Sequence, residues 1–420
     1  MRVTKLLRQL LRLDRAVVIE GHELHDLDEP GARPRLVVRL RLASRHRLRC
    51  GRCGEVAARY DRGGGVRSWR HLDVGFATSE LVAPAPRVSC PAHGVTVAAL
   101  PFARHGSSFT RDFEDLVVYE AVRSSKQAVA DRYAISWRAV AHACERVLAE
   151  ALSRVDLLEG LVAISIDEVK AKKGQRYLTV VCNHLTGKAI WAVPGRSKES
   201  VGAFFEALGE RAAKLEFVTC DGAEWIHSVV AERAPQATIC LDAYHVVKWA
   251  GDALDLTRRE EWNALRARGA ASAAKELKGL RYLLLRAWEK LSPAQKATIH
   301  DLEKTNRRLL RAWQLKEELR ELLRLPAIQA AQALDTWLNF ASRSRLTHFV
   351  KLARTIRHYR QSLEAMIEWR LTNGIAESVN AAIGRIRSNA RGFHDPQAFI
   401  TMIMLDRSGL GPVLPWQREA

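Results

Sequence analysis

Long hydrophobic runs are missing. Nowhere in the 420 residues does an apolar stretch approach the roughly 20 residues that cross a bilayer, so no transmembrane helix is expected. Met1 to Arg15 is basic and carries leucines, but Arg8, Arg12 and Arg15 interrupt what would have to be the apolar region of a signal peptide. A cytoplasmic location is therefore expected. Cysteine is sparse and odd in number, and seven residues at irregular spacing do not make a secreted disulfide framework. Cys144, Cys182, Cys220 and Cys240 sit in apolar runs and read as small buried hydrophobes. No repeat of fixed period and no low-complexity tract is present.

Acidic residues are also in short supply. There are 47 Asp and Glu against 66 Lys and Arg, for a net charge of +19. Such an excess repels itself in a compact chain unless a polyanion is near, and nucleic acid is the usual one. A generally arginine-rich, high-GC proteome is the alternative source of the charge. The length suggests two to four domains.

The first segments read as β structure. Ala16 to Glu20 is one run. Leu36 to Leu40 is another, continuing with alternating apolar and basic residues, which predicts one buried and one basic face. Then come Cys50-Gly-Arg-Cys53-Gly and Cys90-Pro-Ala-His93-Gly. In each pair a two-residue spacer lets two ligands from one tight turn share a tetrahedral metal, and the glycine that follows permits the turn. Two such pairs favour a structural Zn²⁺ held by Cys50, Cys53, Cys90 and His93. A redox CxxC is the rival, but it leaves the second pair unexplained.

Residues 110 to 150 read as three short helices. Phe113, Leu116, Val117 and Ala121 share an apolar face, and Ser136 is placed to cap a helix beginning at Trp137. Ala128, Ile135 and Val140 have the spacing of a helix-turn-helix core, which would leave Trp137, Arg138 and His142 exposed toward a DNA groove. An ordinary helical hairpin is the plain alternative.

From 160 the pattern becomes α/β. Strands are expected at Leu161 to Ile166, Tyr177 to Cys182, Ala189 to Val193, Phe217 to Cys220 and Ala237 to Leu241, with helices from Ser200 and near Trp225. That order is the order of an RNase H-like core. Asp167, Asp221 and Asp242 each directly follow an apolar strand. Residues 250 to 370 are rich in Leu, Ala, Arg and Glu at helical spacing, Pro326 breaks the run, and Trp262, Trp288, Trp313 and Trp337 read as core. Late helices carry Glu377 and Asn380, followed by a basic run that includes Arg385, Arg387 and Arg391.

Phosphodiester chemistry at neutral pH needs a strong nucleophile and stabilised charge on the attacking and leaving oxygens. Two Mg²⁺ ions roughly 4 Å apart supply both, held by a few carboxylates. Asp167 and Asp221 suit that role if their strands are neighbours, and Glu377 completes the set. Glu168 is expected on the opposite face of its strand. One aspartate at a strand end is more often a turn former; the combination carries the argument. Asp242 competes with Asp221, but the fifth strand of such a sheet lies one place further from the first. His245 meets Asp242 if that residue caps the next helix, giving it a supporting role with Lys248 on the same face, and a capping aspartate with a buried histidine is the plainer alternative.

Taken together, Cys50-Gly-Arg-Cys-Gly, Cys90-Pro-Ala-His-Gly, Phe109-Thr-Arg, Ile166-Asp-Glu, Cys220-Asp-Gly, Leu241-Asp-Ala-Tyr-His-Val-Val-Lys and Asn373-Gly-Ile-Ala-Glu-Ser-Val-Asn resemble the ISL-three family of bacterial insertion-sequence transposases. Ser378 stands where many relatives have Gly. The resemblance implies a DDE triad of Asp167, Asp221 and Glu377 using Mg²⁺ or Mn²⁺, with Asp242, His245 and Asn380 accessory. It implies cleavage at element ends and joining to target DNA, and an N-terminal region that recognises terminal inverted repeats. Trp137, Arg138, His142, Lys248, Arg385, Arg387 and Arg391 are the expected DNA contacts, with a homodimer in the synaptic complex and a nucleoid-associated location. The alternative is an inactive or domesticated DNA-binding regulator. The expected fold is multidomain α+β: a zinc-binding β-rich region at 1–105, a helix-turn-helix at 106–155, an RNase H-like α/β core beginning at 156–250, an all-α insertion at 251–370, and final core helices and tail at 371–420.

Overall fold

A computed structural model describes residues 3–26, 33–172, 176–371, 374–390, 392–393 and 395–417. The chain divides into two compact units, Met1–Asp156 with Arg385–Ala420, and Leu157–Gly384. The sequence grouped 371–420 with the catalytic core. In the structure the tail from Arg385 instead folds with the N-terminal residues.

In the first unit, α1 (Val3–Leu10) precedes β1 (Val17–His25), β2 (Arg35–Leu42), β3 (Ala58–Asp61), β4 (Val66–Val74), β5 (Ala77–Pro84), β6 (Arg87–Cys90) and β7 (Gly94–Val97). One sheet has the order β1-β2-β5-β4 and a smaller one β3-β6-β7. The alternation of β2 does what period two requires: Leu36, Val38 and Leu40 are buried with Leu7, Trp69 and Leu81. Its basic face is less free than the sequence suggests. Arg35, Arg39 and Arg41 pair with Glu80, Glu23 and Glu20.

Three helices follow, α2 (Arg111–Arg123), α3 (Lys126–Tyr133) and α4 (Trp137–Leu152). Thr110, Ser125 and Ser136 cap them, each side chain accepting from a backbone N–H three residues on. Ala134 takes the left-handed conformation that closes α3. On α3 and α4 the buried residues are Lys126, Val129, Ala130, Val140, Ala143, Cys144, Val147 and Leu148, whereas Ile135 is half-buried and Ala128 exposed. The expected core position on α3 is therefore shifted by one residue, because the cap at Ser125 fixes the phase of this short helix.

The second unit begins with β8 (Ala163–Lys172), β9 (Arg176–Asn183), β10 (Ala189–Pro194), α5 (Lys198–Leu208), β11 (Phe217–Cys220), α6 (Glu224–Arg233) and β12 (Thr238–Leu241). The sheet order is β10-β9-β8-β11-β12. β8, β9 and β10 form an antiparallel meander, and β11 and β12 run parallel to β8. Parallel neighbours need crossovers, which α5 and α6 provide. Phe204, Phe205, Leu208, Ile226 and Val230 bury the sheet residues Ile164, Ile166 and Val218.

After β12 the described residues up to Trp369 hold no strand. They form α7 (Ala243–Ala267), α8 (Ala271–Gly279), α9 (Arg281–Leu285), α10 (Pro293–Thr305), α11 (Arg307–Leu322), α12 (Ala327–Arg343), α13 (Thr347–His358) and α14 (Arg360–Trp369). Pro326 stands at the N-cap of α12, and Trp337 is buried while Trp262, Trp288 and Trp313 pack around the same core. Then α15 (Gly374–Asn389) spans the boundary between the units, and α16 (Pro396–Arg407) is followed by a 3-10 turn at Pro415–Gln417. No helix among the described residues is long and apolar enough to cross a membrane.

Candidate active site and metal centre

β8 continues past Asp167, which therefore lies within a strand and not at its end as the sequence suggested. The apolar run stops at Ile166 for a physical reason. Up to Ser165 the strand has a neighbour on each side; beyond it β8 pairs with β9 alone, from Ile166↔Val181 to Lys172↔Arg176. Parallel pairing with β11 runs from Ala163↔Phe217 to Ser165↔Thr219. Carried two residues further, that register sets Asp221 abreast of Asp167. β12, with Asp242 after it, lies beyond β11.

The Asp221 charge reaches both acids of β8, Asp167 and Glu168. Burial raises the Asp167 carboxyl above the ordinary carboxylate range, and the charge of Asp221 pushes the same way. The Glu168 N–H, donating at 2.7 Å, and the side-chain amide of Asn380 oppose the rise. Glu168, set aside on the alternation rule, is half-buried. Its carboxyl is raised by burial and by Asp221, while Arg196 at 3.6 Å opposes. Position 377 lies one helical turn before Asn380 on α15. The Glu377 side chain falls outside the described residues.

Asp242 caps α7. One carboxylate oxygen accepts from the N–H of Tyr244 at 3.0 Å, and the other meets His245 Nδ1 at 2.7 Å. That bond, then the charges of Asp221 and Asp167, raise the His245 pKa against the opposing effect of burial. Asp242 is buried, with both oxygens engaged. Lys248, one turn on, is exposed.

The second centre lies in the first unit. Cys50, Cys53, Cys90 and His93 bring one donor atom each within 4.8 Å of the others. His93 Nδ1 stands 3.7 Å from Cys50 Sγ and 3.6 Å from Cys90 Sγ, and the sulfurs of Cys53 and Cys90 are 3.7 Å apart. A tetrahedron with Zn–S near 2.3 Å and Zn–N near 2.0–2.1 Å has edges of about 3.6–3.8 Å, so the donor set fits one Zn²⁺. It does not fit a disulfide, whose sulfurs lie about 2.05 Å apart. Burial would raise the Cys50 thiol, but donation from the backbone of Cys53 and Arg52 outweighs it and brings the pKa to about 6. Gly54 and Gly94, after the pairs, take φ of 75° and 63°, which a side chain would strain.

Of the expected DNA contacts, Trp137, Arg138 and His142 are exposed at the start of α4, and Arg385 is exposed on α15. Arg387 is partly buried, and Arg391 lies outside the described residues.

Three family models match in chain order. They are the zinc-finger of transposase IS204/IS1001/IS1096/IS1165 at residues 46–93, the helix-turn-helix domain of transposase family ISL3 at 98–147, and the ISL3 transposase model at 164–403. The transposase for insertion sequence element IS1557 of Mycobacterium tuberculosis is 42% identical over 99% of this chain and 98% of its own length. The transposase for insertion sequence element IS1001 of Bordetella parapertussis is 31% identical over 67% of this chain and 69% of its own. Among solved structures, the Drosophila P element transposase strand transfer complex superposes at a TM-score of 0.37 and 10% identity, over 70% of this chain and 91% of that one.

Proposed function

The chain belongs to the ISL3 family of transposases, DNA-binding enzymes that cleave and join DNA, and on that premise we propose that Asp167, Asp221 and Glu377 are its catalytic triad on an RNase H-like core. The observation that carries the reading is the parallel register of the neighbouring strands β8 and β11, which, carried two residues past Ser165↔Thr219, brings Asp221 abreast of Asp167. Two carboxylates brought together by neighbouring strands ask for a divalent cation, and Mg²⁺ or Mn²⁺ held there would neutralise charge on the attacking and leaving oxygens of a phosphodiester. Asp221 is preferred over Asp242 because β11 is the neighbour of β8, whereas β12 lies one place further out.

The reaction is in-line phosphoryl transfer. Water attacks the phosphodiester at an element end and frees a 3′-OH, which then attacks target DNA at the same site. Asn380 orients Asp167 and favours its ionised form. His245, its proton affinity raised by Asp242, faces the phosphate as a hydrogen-bond donor. The helical residues 243–369 read as an all-α insertion in the core. Zn²⁺ on Cys50, Cys53, Cys90 and His93 stiffens the region beside the helix-turn-helix. Trp137, Arg138 and His142 enter the major groove of the terminal inverted repeats, while Lys248, Arg385, Arg387 and Arg391 meet phosphates. A homodimer pairs the two ends, and the nucleoid is where the enzyme works.

The deciding experiment is cleavage and strand transfer on end-containing DNA with Mg²⁺. Asp167→Ala, Asp221→Ala and Glu377→Ala should each abolish both reactions and leave end binding near wild type. Retained cleavage in Glu377→Ala would remove that residue from the triad. Loss of metal in Asp242→Ala with metal kept in Asp221→Ala would exchange the second aspartate.

A further inference from the structure

Strand β11 is only four residues long, and Asp221 lies past its end. The sheet therefore does little to hold the backbone that carries this carboxylate, and three aromatic side chains from other elements hold it. His227, on α6, has Nε2 3.0 Å from the carbonyl oxygen of Asp221. A carbonyl only accepts, so this nitrogen carries the proton. Tyr359, at the junction of α13 and α14, donates its hydroxyl to the next carbonyl, that of Gly222, at 2.8 Å. The two rings touch, with centroids 4.9 Å apart. Trp249, on α7, closes the third side. A Cβ added to Gly222 would come within 2.4 Å of the Trp249 ring and 3.3 Å of the Tyr359 ring.

We propose that Tyr359, with His227 and Trp249, is a positioning clamp that sets the Asp221 carboxylate for the divalent metal. The proposal rests on Asp221 being the second triad member. Its physical basis is geometric: β11 ends at Cys220, and each of the next two carbonyls accepts from a side chain of another element. Without a cation two nearby like charges repel, and the turn at Asp221–Gly222 lies beyond the strand pairing that would resist it. Hydrogen bonds to two successive carbonyls and a ring wall against Gly222 hold the turn where repulsion would open it. The metal then meets its ligands already in place. Glu224, which accepts from the Tyr359 hydroxyl at 3.1 Å and meets His358 at 3.0 Å, is itself exposed, so the Gly222 carbonyl is the better-held partner. Tyr359 also ties metal geometry to the helical residues 243–369, because it belongs to them.

The test is Mn²⁺ binding to the full-length Tyr359→Phe protein, measured by electron paramagnetic resonance of the free ion. This change removes the hydroxyl and keeps the ring. The expected result is a dissociation constant raised about tenfold, with the Mg²⁺ midpoint of cleavage shifted equally and excess metal restoring much of the rate. Gly222→Ala, which presses on the same turn, should shift the midpoint in the same direction. An unshifted Mn²⁺ midpoint in both variants overturns the proposal, and so does a lowered melting temperature with unshifted metal affinity. Asp221→Asn separates the two layers. Full metal binding there removes the triad reading and the clamp with it. Lost binding there beside an unchanged Tyr359→Phe removes the clamp alone.

Discussion

Asn380 donates its side-chain amide to the carboxylate of Asp167, a residue 213 positions earlier in the chain. The bond favours the ionised form of a group that burial pushes the other way. Removing the donor in Asn380→Ala should therefore raise the Asp167 pKa further. A metal ligand must be ionised, so the acid limb of the cleavage pH profile should move to higher pH, with a loss of about tenfold near neutrality. An acid limb left in place would show that Asn380 serves only the helix.

Cleavage should also answer to His245. The Asp242 carboxylate, then the charges of Asp221 and Asp167, raise its pKa. A histidine so raised keeps its proton to higher pH than an ordinary one and loses it as pH rises through the raised value. His245→Ala should slow cleavage by about tenfold to a hundredfold while Mn²⁺ binding persists, with the largest effect on the acid side of that titration. Wild-type rates in the variant would leave the residue as a partner to the cap and nothing more.

Much of this arrangement was legible beforehand. The strands β9 to β12 and the first part of β8 are short apolar runs, and the order of strands and helices limits the topology. Ser136 announced the start of α4, and the paired spacings of Cys50, Cys53, Cys90 and His93 announced a shared ligand. The failures have local causes. Apolar content marks burial and not strand length, so β8 was cut short at Ile166, where its β11 neighbour ends. A single turn's phase was misjudged at Ala128. The clamp at Gly222 was invisible because Tyr359 reaches it across 137 residues, and no spacing or period marks such a contact. The packing of 385–420 with the N-terminal residues has the same origin.

The zinc centre yields a prediction about folding. Cys50 is buried, and backbone donation lowers its pKa, which favours the thiolate that a metal takes. The surrounding core is small, formed by Cys50, Ala57, Val88, Cys90 and Ala98. A core that small supplies little stability alone, and metal binding in such modules is largely folding free energy. The purified chain should carry one Zn²⁺ per molecule. Chelation should release the β3-β6-β7 region, seen as loss of amide protection there, and remove end recognition while leaving the second unit protected. Retention of that ion in His93→Ala with unchanged affinity would refute the four-ligand assignment.

His71 supplies a pH switch in the same unit. It is buried, and burial brings its pKa down to about 4. Its Nδ1 lies 2.8 Å from the hydroxyl of Thr110, whose oxygen accepts from the N–H of Phe113 to cap α2. The folded state therefore favours neutral histidine. Stability from this group is present above the unfolded value of 6.5 and is lost as pH falls toward 4. The loss amounts to about 3 kcal/mol by pH 4. Other groups titrate in the same window, so the informative quantity is a difference. His71→Asn retains a polar partner for Thr110 and has nothing to protonate. Hydrogen exchange of the β4 and α2 amides should weaken on acidification in the wild type and weaken less in the variant. Equal slopes for both proteins between pH values of about 6.5 and 4 would show that His71 protonates in the fold as freely as in water.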